Sequence, residues 1–198
     1  MSEEYRKKWC TNISMAEANP IKILKALDAH LTESIELIVY GKSAIYLLFP
    51  EDEKIGVTND LDLIIPEVKI SVFDKRLAFW DAVEKTNKEL EHLGLYLSHI
   101  FDEHQIILHP DWFKSKIEIE SICFKNISVF TPNPLDLIIT KMMRVDPQDR
   151  NDIRFIFEKA CIQEKDLLQH VDGAICPDVA EIKDAFVQNV NWLKGEMR

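Results

Sequence analysis

Glu36-Leu37-Ile38-Val39-Tyr40-Gly41-Lys42-Ser43-Ala44, followed after a charged loop by Thr58-Asn59-Asp60-Leu61-Asp62-Leu63-Ile64-Ile65, sets a strand, a glycine, a helix start and a second strand in a row. Residues 36–40 form a short apolar run rich in β-branched residues, the mark of a buried strand. Gly41 ends it, and residues 43–49 read as a short helix stopped by Pro50. Residues 60–65 read as the second strand, ended by Pro66. Side chains at i and i+2 of a strand share a face, about 6.5–7 Å apart. Asp60 and Asp62 therefore project together, while Leu61, Leu63 and Ile65 face the core. Two such carboxylates can hold Mg²⁺ between them, and like charges this close favour a cation as counter-ion. A glycine at the strand end lets a ligand approach the backbone. Ser43, in the first turn of the helix, stands where free N–H groups favour a phosphate, and Lys42 adds a cation beside it.

Outward from this stretch, Pro20 opens a helix with Ile23, Leu24, Leu27 and Leu31 on one side. Residues 71–93 fit one long amphipathic helix, its core side marked by Phe73, Leu77, Trp80, Val83, Leu90 and Leu93, with Gly94 as the stop. Strands are expected at 95–101, 105–108, 116–124 and 127–130. Asn133-Pro134 and Asp146-Pro147 each pair an N-cap residue with a first-turn proline, so two helices start there. Two more are expected at 164–171 and 177–194. The fold class is α+β. Residues 1–132 form the α/β core with N-terminal helices, and residues 133–198 a helical part that can share that core.

Composition narrows the function. Of 198 residues, 46% are hydrophobic and 29% charged, which suits a folded domain. The five glycines are too scattered for a dinucleotide-binding turn or a Walker A loop. A net charge of −10 argues against tight non-specific DNA binding, which rests on Lys and Arg displacing counterions. No apolar run is long enough to span a membrane, and the charged start, MSEEYRKKWC, has no signal-peptide core. A cytoplasmic protein with reduced cysteines is expected, Cys123 and Cys161 being buried in apolar stretches. His99, His104 and His109 read as polar residues at strand ends, not as a zinc site. Trp9 reads as an exposed contact residue.

Lys141 is harder to explain by packing. It lies within Leu137-Ile138-Ile139-Thr140-Lys141-Met142-Met143, where an ammonium needs a partner. A carboxylate of Asp149 or Asp152, or a nucleotide phosphate, can be that partner. Helix capping accounts for Asp136 and Asp146.

Taken together, Gly41-Lys42-Ser43-Ala44, Thr58-Asn59-Asp60-Leu61-Asp62 and the segment from Leu135-Asp136-Leu137 through Lys141 and Arg144 to Asp149-Arg150-Asn151-Asp152-Ile153 resemble the nucleotidyltransferase superfamily, the DNA polymerase β-like fold. The resemblance is to the small bacterial branch of AbiEii-type toxins and covers about residues 35–172. It implies a nucleotidyltransferase-like mixed sheet flanked by helices and Mg²⁺ held by Asp60 and Asp62. It also implies a nucleoside triphosphate bound around Gly41, Lys42, Ser43, Thr58, Lys141, Asp149 and Asp152. The nucleotide would pass to a hydroxyl of RNA, such as tRNA, or of a protein, with an antitoxin as a further partner. Lys42 replaces the second glycine of the family's pair, Gly56 stands where an arginine often precedes T-x-D-x-D, and Gln148 replaces a lysine. The family's third carboxylate falls to Glu118 or Glu120 on one strand face, or to Asp102. A site without it would bind nucleotide yet activate an acceptor hydroxyl poorly, giving an inactive binding or scaffold protein. The paired acids alone also suit a metal-dependent nuclease.

Overall fold

The computed structural model describes residues 18–50 and 58–196. The expected N-terminal helix, Trp9 and the loop around Gly56 lie outside the described residues. Five strands form one mixed sheet in the order β3-β2-β1-β5-β4. They are β1 (Ile35–Tyr40), β2 (Asp60–Ile65), β3 (Tyr96–Asp102), β4 (Ile117–Glu118) and β5 (Ile127–Thr131). β1 runs antiparallel to β2 and parallel to β5; β2 and β3 are parallel, and β4 and β5 antiparallel.

Alternation along the strands sorts the residues. Ile35, Leu37 and Val39 of β1 and Leu61, Leu63 and Ile65 of β2 all enter the main core. Ile38 and Ile64 face the other way, into a smaller cluster with Ile106, Leu108, Trp112 and Phe130. Asp60, Asp62 and Tyr40 follow the parity of Ile38 and Ile64, so the acids emerge on the face opposite the main core. Helix α1 (Asn19–His30) covers the core face with Ile23, Leu24 and Leu27, none of which retains exposure. Each such side chain stabilises the fold by about 1.5–3 kcal/mol.

Gly41–Leu48 is α2, directly continuing β1. The expected long helix at 71–93 is instead α3 (Glu67–Phe73) and α4 (Leu77–Leu90), followed by a 3₁₀ turn at Glu91–Leu93. The break has a packing reason. Six residues along one helix are turned by about 240° from each other, so Phe73 and Phe79 could not share a core in a continuous helix. With the break they meet edge to face at 5.2 Å, and Trp80 Nε1 donates to the carbonyl of Phe73 at 3.0 Å. Leu77 and Leu93 are consequently exposed, and Phe79, Ala82 and Thr86 take the buried side. Residues 105–108 form a 3₁₀ end and a single bridge from Leu108 to Ile175, not a strand, and the 116–124 strand shrinks to β4. Cys123 and Cys161 are exposed, not buried: one lies in the irregular segment after β4, the other at positive φ in the turn ending a helix.

The last third is helical: α5 (Pro134–Thr140), a 3₁₀ turn at Lys141–Met143, α6 (Pro147–Lys159), α7 (Glu164–Asp172) and α8 (Ala180–Glu196). Asn133 accepts the N–H of Asp136, and Asp146 those of Gln148 and Asp149, as N-caps do. Leu137, Ile153, Leu167 and Leu193 join the same hydrophobic core as β1 and β2. Among the described residues, no helix is long and apolar enough to cross a membrane.

Candidate active site

A cleft of about 490 Å³ opens between the C-terminal end of β1, the start of β2 and the segment joining α5 to α6. That volume lies within the usual range for small-ligand sites. Tyr40, Gly41, Lys42, Thr58, Asp60 and Asp62 line one side, with Lys141, Arg144, Asp149 and Asp152 on the other. Antiparallel pairing sets Tyr40 opposite Asp62, which is how the glycine turn and the acid strand come to one place.

Gly41 has φ +69°, a conformation costly to any residue with a side chain. A Cβ there would stand 3.3 Å from Asp62 Oδ2. Asp60 Oδ1 accepts the hydroxyl of Thr58 in a short hydrogen bond. Asp62 Oδ1 accepts Ser98 Oγ at 2.5 Å, with His99 Nδ1 3.3 Å away. Among the described residues, no lysine or arginine pairs with either acid. Both carboxylates are partly open to the cleft, and hard oxygen donors without a protein cation fit Mg²⁺.

The opposite wall is a clamp of charges. Lys141 Nζ donates to Asp149 Oδ1 at 3.0 Å and to Asp152 Oδ2 at 2.8 Å. Arg144 Nε donates to Asp149 Oδ2 at 2.5 Å. Lys42 Nζ lies 3.9 Å from Asp152 Oδ1. Burial raises the pKa of Asp149, but the Arg144 hydrogen bond and the Lys141 charge outweigh it, so the carboxyl sits below its ordinary value. The same pairing pushes Arg144 up. The partner of Lys141 in this structure is thus the carboxylate pair. Asn189, fully buried on α8, donates to the carbonyls of Met142 and Arg144 at 3.2 and 2.9 Å. It holds the turn that carries Lys141, a role no local motif signals.

Burial, with the charges of Asp62 and Asp60, pushes the Tyr40 phenol well above its ordinary value, so it stays neutral on the cleft wall. Its ring meets Phe101 edge to face at 5.7 Å.

Four expected residues stand elsewhere. The hydroxyl of Ser43 is buried and donates to the carbonyl of Asp60 at 2.6 Å, so its side chain braces β2 rather than lining the cleft. Glu118 is exposed on β4, separated from β2 by β5 and β1, and Glu120 lies just beyond it, also exposed. Asp102 ends β3 opposite Ile65 and caps the next turn through His104 N–H. The place beside Asp62 is taken by Ser98, which no sequence motif marks, and by His99, which the sequence presents as a polar strand-end residue.

Residues 21–175 match the model of a family described as nucleotidyltransferase of unknown function (DUF6036). No curated protein and no solved structure matches. The matched span covers more than three quarters of the 198 residues and includes the whole cleft from Tyr40 to Asp152. With glycine turn, acid pair and lysine clamp all inside it, the chain belongs to this nucleotidyltransferase family, whose substrate is a nucleotide.

Proposed function

We propose that the protein is a Mg²⁺-dependent nucleotidyltransferase that moves a nucleotide from a nucleoside triphosphate to a hydroxyl of RNA, such as tRNA, or of a protein. The observation that carries this reading is the placement of Asp60 and Asp62 in one cleft, partly open and unpaired with lysine or arginine among the described residues. Asp60 and Asp62 would hold the cation, which when bound neutralises phosphate charge and organises in-line displacement. Gly41 lets the triphosphate approach the backbone. Lys42, beside Gly41, and Lys141, on the opposite wall, would take its phosphate oxygens. The acceptor oxygen bonds to the α-phosphorus as its proton passes to water, the bond to the β-phosphate bridging oxygen breaks, and pyrophosphate leaves. Positioning of the two reactants supplies much of the rate. The resemblance of the motif pattern to that of AbiEii-type toxins supports a place in a toxin–antitoxin or phage-defence system, with an antitoxin partner in the cytoplasm.

One observation favours a second reading, nucleotide binding without transfer. Glu118, Glu120 and Asp102 all lie away from Asp62, so none supplies a further acid to activate an acceptor. Incubation with each α-labelled nucleoside triphosphate and bulk tRNA or cell protein separates the two. Label in RNA or protein, lost in Asp60→Asn and Asp62→Asn, establishes transfer. Mg²⁺-dependent binding without label establishes the second reading. Equal Mg²⁺–nucleotide binding by parent and both variants overturns the site.

A further inference from the structure

The parallel ladder between β2 and β3 slips by one residue. Leu61 pairs with Leu97, but Leu63 pairs with Ile100. Two residues, Ser98 and His99, therefore stand against the single Asp62, and such a bulge re-aims a side chain that a regular strand would turn away. Ser98 Oγ donates to Asp62 Oδ1 at 2.5 Å, and His99 Nδ1 lies 3.3 Å from that oxygen and 3.1 Å from Ser98 Oγ. The His99 ring stacks on Phe101 at 5.3 Å and 24°, which fixes its plane. It borders the same cleft as Asp60 and Asp62.

We propose that His99, through Nδ1, is a further ligand of the cation at Asp62, and that it gives the site a stronger hold on Mn²⁺ than on Mg²⁺. The inference rests on the metal-binding reading of Asp60 and Asp62. Two neighbouring donors on an octahedral cation, each about 2.0–2.1 Å from it, stand about 3 Å apart. The His99–Asp62 separation is within a small adjustment of that edge. Mg²⁺ keeps to oxygen donors, whereas an imidazole favours first-row transition ions. Ser98 orients the carboxylate from outside the coordination sphere, as partners of metal ligands do. Among the described residues only Glu67, Glu103 and His104 bring three donor atoms within 4.8 Å of one another. Asp60, Asp62 and His99 do not form such a group, so the proposal rests on the Asp62–His99 pair, whose donor atoms lie 3.3 Å apart.

Pulsed electron paramagnetic resonance of Mn²⁺, with a non-hydrolysable analogue of each nucleoside triphosphate in turn, reads the bond directly. The parent protein is expected to show ¹⁴N coupling from a bound imidazole, and His99→Ala and His99→Asp are expected to lack it. Calorimetry is expected to give Mn²⁺ affinity about tenfold lower in His99→Ala, with Mg²⁺ affinity unchanged within twofold. The His99 side chain is largely exposed, so both variants are expected to fold. Absence of nitrogen coupling in the parent, or coupling unchanged in His99→Ala, overturns the proposal; the cleft reading then stands if Asp62→Asn still abolishes Mn²⁺ binding. Mn²⁺ bound equally well by Asp62→Asn overturns both.

Discussion

Gly41 and Asp62 are fitted to each other: the glycine turns with φ +69°, and the space where its Cβ would lie ends 3.3 Å from Asp62 Oδ2. Gly41→Ala therefore has two effects. The left-handed conformation costs about 1–2 kcal/mol, and the new methyl presses on a carboxylate proposed to hold the cation. Gly94 separates them, because it has φ +65° with nothing within 4 Å of its Cβ position. Urea unfolding is expected to show similar destabilisation of Gly41→Ala and Gly94→Ala. Only Gly41→Ala is expected to weaken Mg²⁺–nucleotide binding, by several-fold in calorimetry.

Lys141 sits between two carboxylates in a nearly closed setting, its side chain 11% exposed and that of Asp149 4%. Removing one partner of such a group leaves buried charge uncompensated, which costs about 3–5 kcal/mol. Arg144 still pairs with Asp149, so Lys141→Ala is expected at the lower end, about 3 kcal/mol by denaturant unfolding. Lys141→Ala with Asp152→Asn should recover part of that loss. An additive double variant would show that the two do not interact.

The same clamp makes stability depend on acid. Asp149 sits below its ordinary 3.8 when folded, because Arg144 and Lys141 outweigh the effect of burial. A depressed carboxyl stabilises the fold fully above its unfolded value and loses that contribution as pH falls through the folded one. Asp149→Asn has no such titration at this position. The gap in unfolding free energy between parent and Asp149→Asn is expected to be widest above about pH 5 and to narrow steadily below about pH 4. Urea midpoints measured from neutral to acid pH check this, and a gap that widens on acidification would contradict it.

The residues of the cleft were legible where one strand or one turn set their direction. Asp60 and Asp62 follow from period-two alternation in DLDLII, and Gly41 from its place between an apolar strand and a helix. His99 was not legible, because its approach depends on a one-residue slip between β2 and β3 that neither strand's own pattern records. Glu118 looked suitable on its alternating strand, but strand order carries it to the far edge of the sheet. Asp136 read as a cap residue. In the fold it is fully buried and accepts from Asn133, His109 and His170, joining α5 to α7 and to the segment after β3. The break at residues 74–76 was hidden for a similar reason: the choice between Leu77 and Phe79 as core residue depends on where Phe73 already lies.

Ser43 offers the sharpest contrast between a residue's motif and its place. Beside Gly41 and Lys42 it looks like a phosphate ligand, yet its hydroxyl donates to the Asp60 carbonyl at 2.6 Å and is almost wholly buried. Ser43→Ala leaves that carbonyl without this donor, at a cost of about 1 kcal/mol in unfolding free energy. Nucleotide affinity is expected to stay within about threefold of the parent, since the hydroxyl does not line the cleft. Lys42→Ala should do the reverse, with little change in stability because its contact to Asp152 is loose at 3.9 Å. Its loss of nucleotide affinity should be about tenfold at low salt and smaller at high salt, as screening predicts. Calorimetric titration at two ionic strengths distinguishes the pair. A Ser43→Ala defect as large and as salt-sensitive as that of Lys42→Ala would mean the hydroxyl leaves the strand to grip phosphate when the nucleotide binds.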